Sequence, residues 1–434
     1  MHTIKLPYGH KYIDFNISEE KLSGILYSQT DKFDSGDTEE SIVKKSIENP
    51  IGSLRLRELA RNTERVLIIT SDHTRAVPSK LTMPILLEEI RKYNPSVKIK
   101  IIIATGLHRD TTHEELVNKF GQNIVDTEEI IIHNCKDKNN LVFKGILPSG
   151  GELWLNFLVD WADLLVAEGL IEPHFFAGYS GGRKSVLPGI CGEKTVLANH
   201  CSKFVSHVDA RTGNIENNPM HEDMLYAAKV AKLKFILNVS LNSDKKLIKC
   251  FCGDSEKAHK EGCEFVAKML KVSAIPSEIV VVTNGGYPLD QNIYQTVKGM
   301  DTAAMNAKKG GVIIMLAECA DGHGGEAFYR WFKDSKGPED VANRIATISM
   351  DKTSMDQWQA QIFAKILIKH KIILVTDQCD PQLVKDLCME YASNIYEALE
   401  MAYRMTSPEA KVTVIPDGVS VLVEPNKLNS GLFV

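Results

Sequence analysis

Short apolar runs, each ending in small or polar residues and leading into a helical pattern, recur along this chain and constrain its fold more than any other feature. They are VLIIT (66–70), KIKIIIAT (98–105), EIIIH (129–133), ADLLVAEG (162–169), KFILNVSL (234–241), EIVVVT (278–283), GVIIML (311–316) and KIILVT (371–376). Runs apolar on both faces suit strands of a parallel sheet covered on both sides. Their alternation with helices predicts an α/β protein of two doubly wound lobes, and 434 residues are comfortable for two domains. Thr112 with Glu115 reads as a capping box opening a helix, and Asn218-Pro219 as an N-cap followed by proline at the first helical position. After the helical pattern SEKAHKEGCEFVAKMLK, Pro276 interrupts before a new strand, which sets the expected lobes at 1–271 and 272–408. The last strand pattern, KVTVIPDGVSVLVEP, is expected to return so that 409–434 completes the first lobe.

Composition narrows the partners. A net charge of -5, with no basic block or stacked-aromatic platform, argues against nucleic acid. No apolar run approaches membrane-spanning length, and the start, MHTIKLPYGHKYIDFNI, alternates like a strand with a turn at Pro7 to Gly9 rather than presenting a charged leader. The nine cysteines contain no CxxC pair, only the CxC of Cys250 and Cys252, so they are expected to be buried thiols in a reducing cytoplasm.

Ligands of open α/β sheets bind at the carboxyl ends of strands. Reactive side chains follow four of the runs: Asp72, His73 and Arg75 in SDHTR; His108 and Arg109 in GLHRD; the segment 172–200; and NGGYPLDQNIYQTVKG, from 284. His113, His133, His207, His221, His259 and His370 are read as surface or capping residues. His108 and His174 stand apart, since each follows a strand directly in a glycine-containing loop. Arg75 suits either a surface ion pair with Asp72 or capture of a carboxylate or phosphate.

The segment EPHFFAGYSGGRKSVLPGICGEKTVLANH places Lys184 beside Arg183 among glycines, between His174 and His200. The nucleotide-triphosphatase pattern needs GK[ST], but Arg183 separates Gly182 from Lys184, and GxGxxG is absent. No HExxH or paired cysteines accompany the histidines, so a metal here needs most of its ligands from outside the protein. On the residues alone the reading stops at a two-lobed enzyme binding a small anion, with histidine acid/base chemistry and one unusual lysine.

SDHTR, GLHRD, EPHFFAGYSGGRKSVLPGICG, LANH and QTVKG, in this order and spacing, resemble the nickel-dependent lactate racemase (LarA) family over essentially the whole chain. The resemblance implies two Rossmann-like lobes with the active site in the cleft between them. It implies a nickel pincer nucleotide, a pyridinium mononucleotide with two sulfur-bearing arms, joined to Lys184 by a thioamide, with His200 as the protein ligand to nickel. Soft sulfur and imidazole in a planar set suit Ni(II), and the glycines are expected to make room for the ring and its phosphate. The same resemblance makes His108 and His174 the acid/base pair for reversible hydride transfer from Cα of lactate, through pyruvate. Arg75 and Lys298 would hold the substrate's carboxylate and hydroxyl oxygen, Asp72 would orient Arg75 or the cofactor, and Tyr294, Gln295 and Trp358 would line the site.

Packing is the bland alternative for those last three. Separate enzymes that make the cofactor are implied partners, and protein made without them is expected to carry an ordinary lysine at 184. Phe175, Phe176 and Tyr294 suggest a compact site for a small methyl-bearing substrate, which favours lactate. The competing readings are a racemase or epimerase of another 2-hydroxy acid with the same cofactor, a non-catalytic carrier of nickel or the pincer nucleotide, and a phosphate-binding transferase.

Overall fold

The computed structural model describes residues 1–424. The chain folds into two compact units: Thr30–His200 with Ser206–Lys268, and Met1–Gln29 with Cys201–Val205 and the described residues from Met269 onward.

The unit that begins at Thr30 is built on a six-stranded sheet. Its strand order is Leu247–Asp254, Leu233–Leu241, Leu164–Leu170, Arg65–Ser71, Lys98–Ala104, Glu129–Ile132. Neighbours are parallel except the first pair. Central strands are buried on both faces, as the apolar runs predict: Val66 to Ile69 have no exposed surface. Helix Ser79–Arg91 covers one face with Met83, Leu86 and Ile90, which join Ile68, Ile101 and Val166 in one core. The edge strand is covered by helix Glu39–Glu48, whose Ser46 hydroxyl donates to Cys250 O and accepts from Cys252 N, both at 3.0 Å.

The other unit carries a six-stranded, wholly parallel sheet in the order Glu390–Ala392, Lys371–Val375, Ala307–Leu316, Ser277–Thr283, Val412–Ile415, Leu22–Ile25. The opening residues form the antiparallel hairpin His2–Tyr8 with Lys11–Ile17. Its buried face (Ile4, Leu6, Tyr8, Phe15, Ile17) packs with Ile279, Val281 and Ile314.

This topology corrects the expected lobe boundaries. Residues 1–29 belong with the later part of the chain, because Leu22–Ile25 pairs with Val412–Ile415 and the hairpin seals that sheet's core. Val412–Ile415 therefore does not complete the first lobe; it lies between Ser277–Thr283 and Leu22–Ile25. The rest of the expectation for 409–434, from 425 on, lies outside the described residues.

All nine cysteines are free, eight of them buried and Cys388 exposed. Among the described residues no helix is long and apolar enough to cross a membrane.

Gly253 holds a φ of +136° on the edge strand, opposite Ile51. A Cβ there would lie 2.3 Å from Ile51 O and 2.5 Å from its N, both backbone atoms that no rotamer change can move. Gly253→Ala is expected to cost about 1–3 kcal/mol, read as a lower urea midpoint with an unchanged m-value.

Candidate active site

The strand Arg65–Ser71 delivers Asp72 at its carboxyl end, and the neighbouring strand Lys98–Ala104 delivers the loop that carries His108. Asp72 is buried and divides its two oxygens. Oδ1 accepts from Thr74 N (3.1 Å) and Thr74 Oγ1 (2.6 Å), which locks the loop; Oδ2 lies 2.6 Å from His108 Nδ1. Burial alone would raise the Asp72 carboxyl, but the hydrogen bond and charge of His108, with Thr74 and Arg75, outweigh it and hold the group well below the usual carboxylate range. An ionised carboxylate only accepts, so the His108 proton sits on Nδ1 and Nε2 is left as a base on a half-exposed ring.

Of the two partners expected for Asp72, Arg75 or the cofactor, Arg75 makes no hydrogen bond to it; the carboxylate bonds His108 instead. Arg75 donates from Nη1 to Thr74 O and Oγ1 (3.2 and 3.3 Å), and its Nε lies 4.0 Å from Glu172. Arg109 is occupied by Glu115 through Nη1 (2.9 Å) and Nη2 (2.6 Å), while His73 faces Thr111 and Glu115.

In the glycine-rich segment, Pro173–His174 pairs antiparallel with Gly178–Tyr179. The His174 ring stacks on Phe175 (centroids 5.0 Å) and meets Phe176 edge-on (4.5 Å). Ala177 N donates to His174 Nδ1 at 3.3 Å, which puts the ring proton on Nε2. Lys184 lies in the short 3-10 turn Gly182–Ser185, with Nζ 6.0 Å from the centroid of Phe176. His200 closes helix Glu193–Asn199, and its ring meets Phe176 edge-on at 5.2 Å. One buried phenyl ring thus gathers His174, Lys184 and His200.

His200 Nδ1 lies 3.0 Å from Val196 O, so it donates there and Nε2 keeps its lone pair. Burial, and then the nearby Lys184 ammonium, pull its pKa down to about 3. A neutral imidazole whose other nitrogen is held by a carbonyl suits metal ligation. Among the described residues no group of three or more His, Cys, Asp or Glu side chains could hold a metal. The protein side chains on hand at His200 thus amount to a single imidazole nitrogen.

Three glycines of the segment lie hard against the protein itself. A Cβ on Gly178 would meet Asn214 O at 2.2 Å, on Gly182 the His259 ring at 2.6 Å, and on Gly189 Ser185 O at 2.1 Å. They let the segment pack tightly on the protein itself.

Sequence reasoning missed Arg183, which is completely buried inside this loop and pulled down to about 10 by burial. It also misplaced several histidines. His133, His221 and His259 are buried rather than superficial: His133 bonds Cys191 O and Asn156, and His221 accepts from Arg183. His370 is the C-cap of helix Gln357–Lys369, which agrees with its reading as a capping residue, although its side chain is buried.

In the other unit, Asn292 Oδ1 accepts from Gln295 N (3.0 Å) and caps helix Ile293–Ala304, which carries Tyr294, Gln295 and Lys298. Tyr294 and Lys298, four residues apart, share a helix face. The Tyr294 hydroxyl donates to Asp356 (3.2 Å) and is also hydrogen-bonded to Trp358; burial, then the Asp356 charge, push its pKa up. Asp356, a left-handed residue (φ 60°) just before helix Gln357–Lys369, had no sequence signal. Gln295 Oε1 is buried with no hydrogen-bond partner.

Residues 8–213 match the lactate racemase N-terminal domain, and residues 272–423 the lactate racemase C-terminal domain. The chain belongs to the lactate racemase family. It is 54% identical over 423 residues to a lactate racemase of Thermoanaerobacterium thermosaccharolyticum, covering 98% of this chain and 99% of that one. A lactate racemase of Lactiplantibacillus plantarum is 51% identical over 424 residues, covering 98% and 100%. Relatives so named are isomerases. The solved lactate racemase apoprotein of T. thermosaccharolyticum superposes with a TM-score of 0.95 at 54% identity, over 98% of this chain and all of that one. A Thermotoga maritima protein shares the fold at a TM-score of 0.67 and 17% identity, over 91% of this chain and 100% of that one.

The depressed Asp72 carboxyl stabilises the fold above its unfolded value, about pH 4. That contribution is lost as pH falls from there toward the folded-state value. Urea midpoints of wild type and Asp72→Asn measured from pH 7 to 3 are expected to differ by a constant amount above about pH 5 and to converge below about pH 4.

Proposed function

We propose that this chain is a lactate racemase that interconverts L- and D-lactate, with Lys184 carrying a nickel pincer nucleotide and His200 ligating its nickel. The observation that carries the reading is the convergence of Lys184, His174 and His200 on Phe176, in a chain matched end to end by curated lactate racemases. When bound, the nucleotide would supply a reversible acceptor for the Cα hydride of lactate.

The chain's own residues handle the rest. His108 presents Nε2, backed by Asp72, to take the hydroxyl proton of one enantiomer, and His174 serves the other once its ring proton moves from Nε2 to Nδ1, at the expense of the Ala177 contact. Two imidazoles are needed because the hydroxyl points differently in each enantiomer. Arg75 and Lys298 bind the carboxylate and hydroxyl oxygen and offset the charge that develops there. Phe175 and Phe176 beside His174 favour a methyl substituent, hence lactate over larger 2-hydroxy acids. Tyr294, Gln295 and Trp358 line the site, with the Gln295 carbonyl free to accept from ligand. Separate cofactor-making enzymes are the implied partners, and a cytoplasmic location accords with the buried thiols.

Protein produced together with those enzymes, incubated with L-lactate deuterated at C2 in ordinary water, is expected to yield D-lactate that keeps its deuterium. Product that has lost the label would replace hydride transfer with proton abstraction at carbon. No D-lactate from protein whose mass shows Lys184 loaded would move the reading to another 2-hydroxy acid or to the carrier. His108→Ala and His174→Ala are each expected to lower kcat about 10²–10⁴-fold with Lys184 still loaded. Unchanged racemisation in the double variant would remove both histidines from the mechanism.

A further inference from the structure

Among the described residues Arg183 has the largest fully buried side chain, and its partners lie in or against the loop to which it belongs. Nη2 donates to Ala177 O (2.7 Å), Nη1 to Tyr179 O (2.7 Å) and, at 3.5 Å, to Gly181 O, and Nε to His221 Nδ1 (2.9 Å). His259 Nε2 lies 3.1 Å from Nη1 and 2.9 Å from Ser180 O; it accepts from the guanidinium or donates to the carbonyl, according to its tautomer. Burial, and then the arginine's own charge, lower the proton affinity of both histidines, so they meet it as neutral rings. Among the described residues no carboxylate pairs with Arg183, so a cation is kept in the interior on carbonyls and imidazoles alone.

The carbonyls it gathers belong to residues six, four and two positions earlier. The loop from 177 to 182 therefore wraps around a side chain planted at its end, and the next residue is Lys184. Ala177 in turn directly follows Phe176, the ring that meets His174, His200 and the Lys184 amine. One planar fork thus ties the His174–Phe176 segment to the lysine. An ammonium on a lysine stem offers no such fork.

We propose that Arg183 is the positioning residue of the attachment loop, holding Lys184 over Phe176 so that it can receive and retain the nucleotide. The inference rests on the function proposed above. It assigns Arg183 no contact with substrate or cofactor.

Arg183→Lys and Arg183→Met would be produced together with the cofactor-making enzymes. Ile90→Ala, a core change in helix Ser79–Arg91, serves as a control of reduced stability. Two readouts are taken: the fraction of Lys184 loaded, by peptide mass, and hydrogen exchange of amides 178–185 in the unloaded protein. Both Arg183 variants are expected to load at least about 10-fold less and to exchange at least about 10-fold faster than wild type, with Ile90→Ala like wild type in both. Loading and protection at wild-type levels in Arg183→Lys would overturn the proposal, as would equal losses in Ile90→Ala at a matched Tm.

If neither Arg183 variant folds, His221→Leu removes only the Nε acceptor and is expected to load about 3-fold less and exchange about 3-fold faster. Wild-type behaviour of His221→Leu in both readouts would then overturn the proposal. If wild type itself gains no mass at Lys184, the pincer reading fails, and exchange of 178–185 alone decides the role of Arg183.

Discussion

A parallel ladder buried on both faces is the constraint on which the first unit depends. Val66 to Ile69 have neighbours on both edges and side chains packed above and below, so this stretch is reserved for apolar residues. Chemistry is displaced to where the ladder ends. Adjacent parallel strands end side by side, which is why Asp72 and His108, separated by 36 positions, come within 2.6 Å.

A charged exception inside the ladder is Glu168, fully buried on strand Leu164–Leu170. Its carboxylate accepts from the hydroxyls of Thr70 (2.6 Å), Ser79 (2.8 Å) and Thr82. Thr70 is two residues before Asp72, and Ser79 and Thr82 open the helix that follows the Asp72 loop. The buried carboxylate thus ties down both ends of the segment that carries Asp72 and Arg75. Leaving such a group unsatisfied would cost more than these bonds contribute, so the hydroxyls and the carboxylate stand or fall together.

The sequence made some features legible and hid others for physical reasons. Apolar runs marked the central strands because burial on both faces leaves no polar positions to blur them. The Thr112 box and the Asn218 cap were readable because capping is a short-range interaction, and both are present. Membership of the 1–29 hairpin was hidden, since strand pairing with 412–415 is non-local and an alternating hairpin can seal either lobe. The edge strand Leu247–Asp254 was missed because Lys249 and the CxC interrupt its apolar run. Arg183 and Asp356 act through geometry that no spacing encodes: one donates to carbonyls of its own loop, the other reaches Tyr294 from a left-handed turn 62 residues away. The resemblance named the site positions, but it could not say that Asp72 serves His108 or that the loop glycines pack inward.

Three imidazoles of the first unit, His108, His174 and His200, show how much a single neighbour decides. All are one side chain with two interchangeable nitrogens, and each is fixed differently. A carboxylate holds the proton of His108 on Nδ1, a backbone N–H at Nδ1 moves that of His174 to Nε2, and a helix carbonyl holds that of His200 on Nδ1. The other nitrogen therefore keeps its lone pair on His108 and His200 and carries the proton on His174. Behind His108 stands the Asp72 carboxylate, brought there because the two parallel strands end side by side.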